Sequence, residues 1–138
     1  MSRASRILVI DDEEMIRDIV MSVLAHAGYE VFCAGNGNEG LEILKTQDVD
    51  LVVTDILMPE KEGIETIVEI RKSRPKIRIV AVSGGGRANN LHPLQIAGKI
   101  GADKTLPKPF EPDELLAMVQ GLIGQGSDSQ GAEAVASS

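Results

Sequence analysis

Asp50-Leu51-Val52-Val53-Thr54-Asp55 is a short apolar, β-branched run closed by a carboxylate, after which Ile56-Leu57-Met58-Pro59 turns the chain away. A run of this length and composition reads as a buried strand. Its carboxyl end delivers Asp55. Open α/β sheets bind their ligands in the crevice beyond the carboxyl ends of the strands, so Asp55 is placed for chemistry if other strands bring complementary groups beside it.

Working outward, residues 6–10 form a second apolar run that stops abruptly at Asp11-Asp12-Glu13-Glu14, the pattern of a strand followed by the acidic first turn of a helix. Ile16, Ile19, Val20, Val23, Leu24 and Ala27 then recur at helical spacing, and Gly28 stops that helix. Residues 29–34 read as a strand, 35–40 as a loop and 41–45 as a second helix. Beyond Asp55, Ile64, Ile67, Val68 and Arg71 define a helix over 63–74 that Pro75 ends. Residues 77–82 form a fourth strand finishing on Ser83, and the glycines of 84–90 make a flexible loop. A short helix is expected over 93–99, with Pro93 in its first turn, and a brief fifth strand over 102–106. Lys108 sits between Pro107 and Pro109, and a last amphipathic helix runs over 112–123. Strands alternating five times with helices predict an α/β, doubly wound parallel sheet covered on both faces. Its carboxyl edge then collects Asp11, Asp12, Asp55, Ser83 and Lys108.

The bulk properties narrow the function. The chain has 138 residues, enough for one domain with a core that needs neither disulfide nor metal. With 2% aromatic residues, that core must be aliphatic. A formal charge of -7 disfavours attraction to nucleic acid or an anionic membrane. No apolar run approaches the roughly 18 to 20 residues of a membrane span, and the run after Arg6 is too short for a signal peptide. The expectation is a cytoplasmic protein with an N-terminal extension over 1–5, one domain over 6–124 and a disordered, small and polar tail over 125–138. Cys33, the one cysteine, lies in an apolar run and is expected to be a reduced core residue.

Three carboxylates at one edge repel each other unless something positive sits between them. Hard oxygen ligands with one lysine suit Mg²⁺, which keeps positions open for water and phosphate oxygens. A carboxylate can itself attack phosphorus to give an acyl phosphate. Phosphoryl transfer needs a cation and a lysine to spread charge on the equatorial oxygens, and a hydroxyl to fix one of them; Lys108 and Ser83 suit those roles.

Asp11-Asp12 after the first strand, Asp55 with Met58-Pro59 and Gly63 after the third, Ser83 after the fourth, Gly101-Ala102 and Lys108-Pro109-Phe110 together resemble the receiver domain of two-component response regulators. The resemblance spans roughly residues 5 to 124. It implies a flavodoxin-like (βα)5 fold with strand order 2-1-3-4-5. It further implies that Asp55 accepts a phosphoryl group from a phosphohistidine on a sensor histidine kinase or a histidine phosphotransfer protein. Asp12, Asp55 and the backbone carbonyl of Leu57 would bind Mg²⁺ directly, with Asp11 acting through water. Ser83 and Lys108 would each meet a phosphoryl oxygen, and the Lys108–Pro109 peptide would be cis. Such a protein is a signalling domain that catalyses only its own phosphorylation and dephosphorylation, not an enzyme with a separate product. It would signal to a downstream protein target through the face around the helices at 93–99 and 112–123. The first helix, with Arg17 and Asp18 exposed near its start, would dock the donor. Two departures from the family stand out. Thr105 replaces an aromatic residue that commonly reports phosphorylation, and the stretch between Ser83 and Lys108 is longer. An order–disorder change in the 84–92 loop is the alternative switch.

Other readings compete. Asp11 and Asp12 taken alone suit a helix N-terminus, Ser83 a loop hydroxyl, and Lys108 a solvated charge. Gly35-Asn36-Gly37-Asn38-Glu39-Gly40 matches the G-x-G-x-x-G outline of a dinucleotide site, with Asp55 twenty residues beyond Gly35. That reading leaves Asp11, Asp12 and Lys108 unexplained, and a dinucleotide fold usually needs two mononucleotide halves. A haloacid-type phosphatase also uses a nucleophilic Asp and Mg²⁺, but the D-x-D motif is absent. An interaction module that uses the fold without phosphorylation is the third class.

Overall fold

The computed structural model describes residues 4–56, 63–83 and 101–124. Their elements run β1 (Arg6–Ile10), α1 (Glu14–His26), β2 (Glu30–Ala34), α2 (Gly37–Thr46), β3 (Leu51–Asp55), α3 (Gly63–Ser73), β4 (Arg78–Ser83), β5 (Lys104–Pro107) and α4 (Pro112–Ile123). All strand pairs are parallel, in the order β2-β1-β3-β4-β5. The expected doubly wound sheet and its strand order are therefore the observed ones. The loop at 84–92, the helix expected at 93–99, Leu57 and the tail at 125–138 lie outside the described residues.

Strand geometry explains the two-layered core. Successive side chains point to opposite faces, so Ile7 and Val9 of β1 pack with Val20 and Leu24 of α1 and Leu115 and Val119 of α4. Leu8 and Ile10 pack on the other face with Leu44 of α2 and Ile67 and Ile70 of α3. A strand covered on both faces must be apolar at nearly every position, which is why the strands read as continuous runs. Each fully buried Leu or Ile stabilises by roughly 1.5–3 kcal/mol, so stacked aliphatics replace the missing aromatics. All five residues of β3 are buried, Asp55 included.

Several boundaries differ from expectation, most of them by a single residue. The second helix begins at Gly37, four residues before the reading at 41–45. Asn36 Oδ1 accepts the Glu39 N–H at 2.9 Å, and Glu39 Oε1 accepts the Gly35 N–H at 2.7 Å. These reciprocal bonds start the helix as a capping box does and offset its poor glycine propensity. Gly40 is required by packing, since a Cβ there would lie 2.4 Å from Ile10 Cδ1. The glycine motif is thus spent on a helix start and a close helix–strand contact, with the Glu39 carboxylate on the Gly35 amide where a pyrophosphate would have to bind. Gly28, with φ of 103°, ends α1, and Tyr29 stays out of β2 because its N–H bonds back to the Leu24 carbonyl of α1 at 3.2 Å, while its hydroxyl donates to the Gly124 carbonyl at the end of α4. Finally, β5 runs two residues later than its expected start. Cys33 is free and half-buried, at the edge of the core and not within it. Among the described residues no helix is long and apolar enough to cross a membrane.

Candidate functional site

Register assembles the site. Ile10 pairs with Thr54, so β1 and β3 end side by side and present Asp11 and Asp55 together. Asp55 lies opposite Val82 of β4, and Ser83 opposite Pro107 of β5. Because β4 stands between β3 and β5, Lys108 reaches Asp55 by extending its long stem across the end of β4. Its Nζ donates to Asp55 Oδ2 and Asp11 Oδ2, both at 2.9 Å. The Lys108–Pro109 peptide is cis, as the resemblance implied. The chain after it is anchored at once: Glu111 caps α4 in a capping box with Glu114, and Pro112 opens the first turn.

The charges are mostly out of water. The side chains of Asp11 and Asp55 are 4% and 5% exposed, and that of Lys108 is 10% exposed. Burial alone would lower the lysine's pKa, but hydrogen bonds to Asp11 and Asp55 outweigh it and hold the pKa above the ordinary value.

Asp12 is exposed, yet its carboxylate joins the pair, and oxygens of Asp11, Asp12 and Asp55 lie within 4.8 Å of one another. Like charges 4 Å apart repel by about 4 kcal/mol at an effective dielectric constant near 20, and one lysine leaves the trio short of positive charge. Three hard oxygens at this spacing fit a small divalent cation such as Mg²⁺. Of the other expected site residues, Ser83 is placed at the end of β4, and Leu57 lies outside the described residues. Thr105 is half-buried on β5, paired with Ala81.

Two residues join the site that sequence reasoning did not assign to it. Glu13 Oε1 accepts a third hydrogen bond from Lys108 Nζ at 3.1 Å, while the Glu13 N–H donates to Asp11 Oδ1 at 2.9 Å. Arg17 is half-buried, not exposed, and its Nη1 donates to the Asp11 carbonyl at 2.8 Å. The run of four acids beginning at Asp11 was the available signal for Glu13. Arg17 carried none, because one turn of helix is what brings it back over the loop.

Comparison with known proteins agrees with this geometry. The response regulator receiver domain model matches residues 7–120, and the chain belongs to that family. The chain is 37% identical over 117 residues to the DNA-binding transcriptional regulator NtrC of Azospirillum brasilense, covering 85% of this chain and 24% of that protein. It thus spans about a quarter of that relative's length. A CheY-like receiver domain protein from Methanospirillum hungatei JF-1 is 31% identical, with a TM-score of 0.79 over 86% of this chain and 92% of that one. The receiver domain of NtrX from Brucella abortus is 31% identical, also with a TM-score of 0.79, over 85% and 97%.

Proposed function

We propose that Asp55 is the phosphoacceptor of this receiver domain, taken as residues 6–124, and that its donor is a phosphohistidine on a sensor kinase or phosphotransfer protein. One observation carries the reading: a nearly buried strand-end carboxylate is hydrogen-bonded to a lysine and sits within 4.8 Å of two further carboxylates. An Asp55 oxygen attacks phosphorus, forming the P–O bond as the P–N bond breaks. The leaving electron pair returns to the imidazole, which takes up a proton. Lys108, already on Asp55, pairs with a phosphoryl oxygen as charge accumulates there, and Ser83 holds another from the end of β4. Asp12 and Asp55, with the Leu57 carbonyl and with Asp11 through water, would hold Mg²⁺. The ion when bound supplies charge neutralisation for the incoming phosphoryl group.

The donor's approach is supported by a groove of about 410 Å³ lined by Ile16, Ile19, Val20, Pro109, Phe110 and Pro112, with Lys108 and Glu13 at its edge. Ile19 of that lining is 43% exposed, and Met15, 73% exposed, adds apolar surface on α1. Output passes to a protein partner, since a net charge of -7 opposes direct nucleic-acid binding.

The test is intact mass after incubation with Mg²⁺ and acetyl phosphate. One phosphoryl adduct is expected on the wild type and none on Asp55→Asn. A correctly folded wild type that gains no adduct overturns the proposal.

A further inference from the structure

Lys108 presents three N–H groups, and all three are taken by carboxylates: Asp11 and Asp55 at 2.9 Å and Glu13 at 3.1 Å. The three acceptors are not equivalent. Asp11 and Asp55 are nearly buried and belong to the cluster that fits a divalent cation, whereas the Glu13 side chain is 60% exposed and stands outside that cluster. Glu13 is also tied to the site through its own backbone, whose N–H holds the other oxygen of Asp11. The inner pair and a bound cation make conflicting claims on the same oxygens. With Lys108 fully engaged on Asp11 and Asp55, two positive groups would compete for those oxygens. An ammonium that can shift outward onto an adjacent anion gives up the inner oxygens without entering bulk water unpaired.

Resting on the phosphoacceptor reading above, we propose that Glu13 is a positioning residue that holds Lys108 at the rim of the site while Asp11 and Asp55 turn to a divalent cation. Glu13 touches neither the phosphoryl group nor the metal; it acts through Lys108. The lysine stays within reach of a phosphoryl oxygen arriving on Asp55, which a lysine released to solvent would not. Two neighbouring features confine the movement. Arg17 Nη1 holds the Asp11 carbonyl, and the capped start of α4 fixes the chain just after Pro109. The stem of Lys108 is therefore the mobile part.

The experiment is Mg²⁺ titration by calorimetry on the wild type, Glu13→Gln, Glu13→Asp, Lys108→Met and the Glu13→Gln/Lys108→Met double variant. Glu13→Gln is expected to weaken Mg²⁺ binding by up to about fivefold, the effect of losing one exposed ion pair of about 1 kcal/mol at about 1.36 kcal/mol per tenfold. Glu13→Asp keeps the charge but shortens the reach, and falls between. In the Lys108→Met background the competing ammonium is gone, and Glu13→Gln should have no further effect. Equal weakening in both backgrounds would make Glu13 a general surface charge and overturn the proposal. So would Mg²⁺ binding that Glu13→Gln leaves unchanged, and that result would leave the phosphoacceptor reading intact. A wild type that binds no Mg²⁺ overturns the metal reading and this proposal together.

Discussion

The two ends of the sheet use the same residue type in opposite ways. At the amino end, Asp50 and Asp103 each precede a strand. Asp50 Oδ2 accepts the Arg6 N–H at 2.8 Å, and Asp103 Oδ2 accepts the Ile79 N–H at 2.7 Å and Arg71 Nη2 at 3.1 Å. Those donors cannot move away. Two are backbone amides of neighbouring strands, and Arg71 is itself braced on the carbonyls of Pro75, Ile77 and Gly101. At the carboxyl end, Asp11 keeps one backbone donor, the Glu13 N–H on Oδ1, but its Oδ2 and that of Asp55 share one lysine on a flexible stem and stand close to a third carboxylate. Rigid donors make an acid structural; a movable cation and unrelieved repulsion keep it available for chemistry.

The largest expected effect comes from removing the movable cation. Lys108→Met leaves Asp11 and Asp55 nearly buried without it, which should lower stability in metal-free buffer by about 3 kcal/mol, read from urea midpoints. Added Mg²⁺ should recover part of the loss. A midpoint unmoved by the substitution would mean that the carboxyl-end acids are held as firmly as the amino-end ones. Next, Asp103→Ala strips an acceptor from the Ile79 amide and from Arg71 and should cost about 2 kcal/mol. The rate of phosphoryl acceptance from acetyl phosphate should stay the same. Asp55→Asn is expected to move the midpoint the other way, raising stability by about 1 kcal/mol through relief of like-charge repulsion; an equal loss instead would group Asp55 with Asp103.

A smaller effect, absent near neutral pH, tests a second lock at the amino end. Burial pushes the Tyr29 phenol up from 10.0 to about 12. Below about pH 10 the folded and unfolded chains both keep the phenolic proton, so its contribution is fully present. Between about pH 10 and 12 the unfolded chain releases it and the folded chain does not, so stability falls as pH rises. Lys108, with its raised pKa, contributes a loss in the same direction, so the comparison is between wild type and Tyr29→Phe. The variant should show a shallower decline of urea midpoint across that range, and an identical decline would remove Tyr29 from the account.

How far the site was legible depended on what each residue needed from its neighbours. Asp11, Asp12, Asp55 and Lys108 stand at ends of apolar runs, and parallel topology alone carries strand ends to one edge; their meeting could be read from one dimension. Glu13 and Arg17 could not, because their roles depend on the turn of α1 that swings them back over Asp11. The helix start at Gly37 was hidden for a related reason: glycine-rich composition signals a loop, and only the bonds of Glu39 to Asn36 and to the Gly35 N–H and the close fit of Gly40 against Ile10 override it.

The sequence by itself determined the alternation of strands and helices, the aliphatic core and the acids and lysine at the strand ends, because apolar periodicity and strand-end position are local properties of the chain. Only the tertiary structure decided which acids are structural and which are available. That depends on the donors each one meets across the sheet, and donors separated by tens of residues come together only when the strands pair.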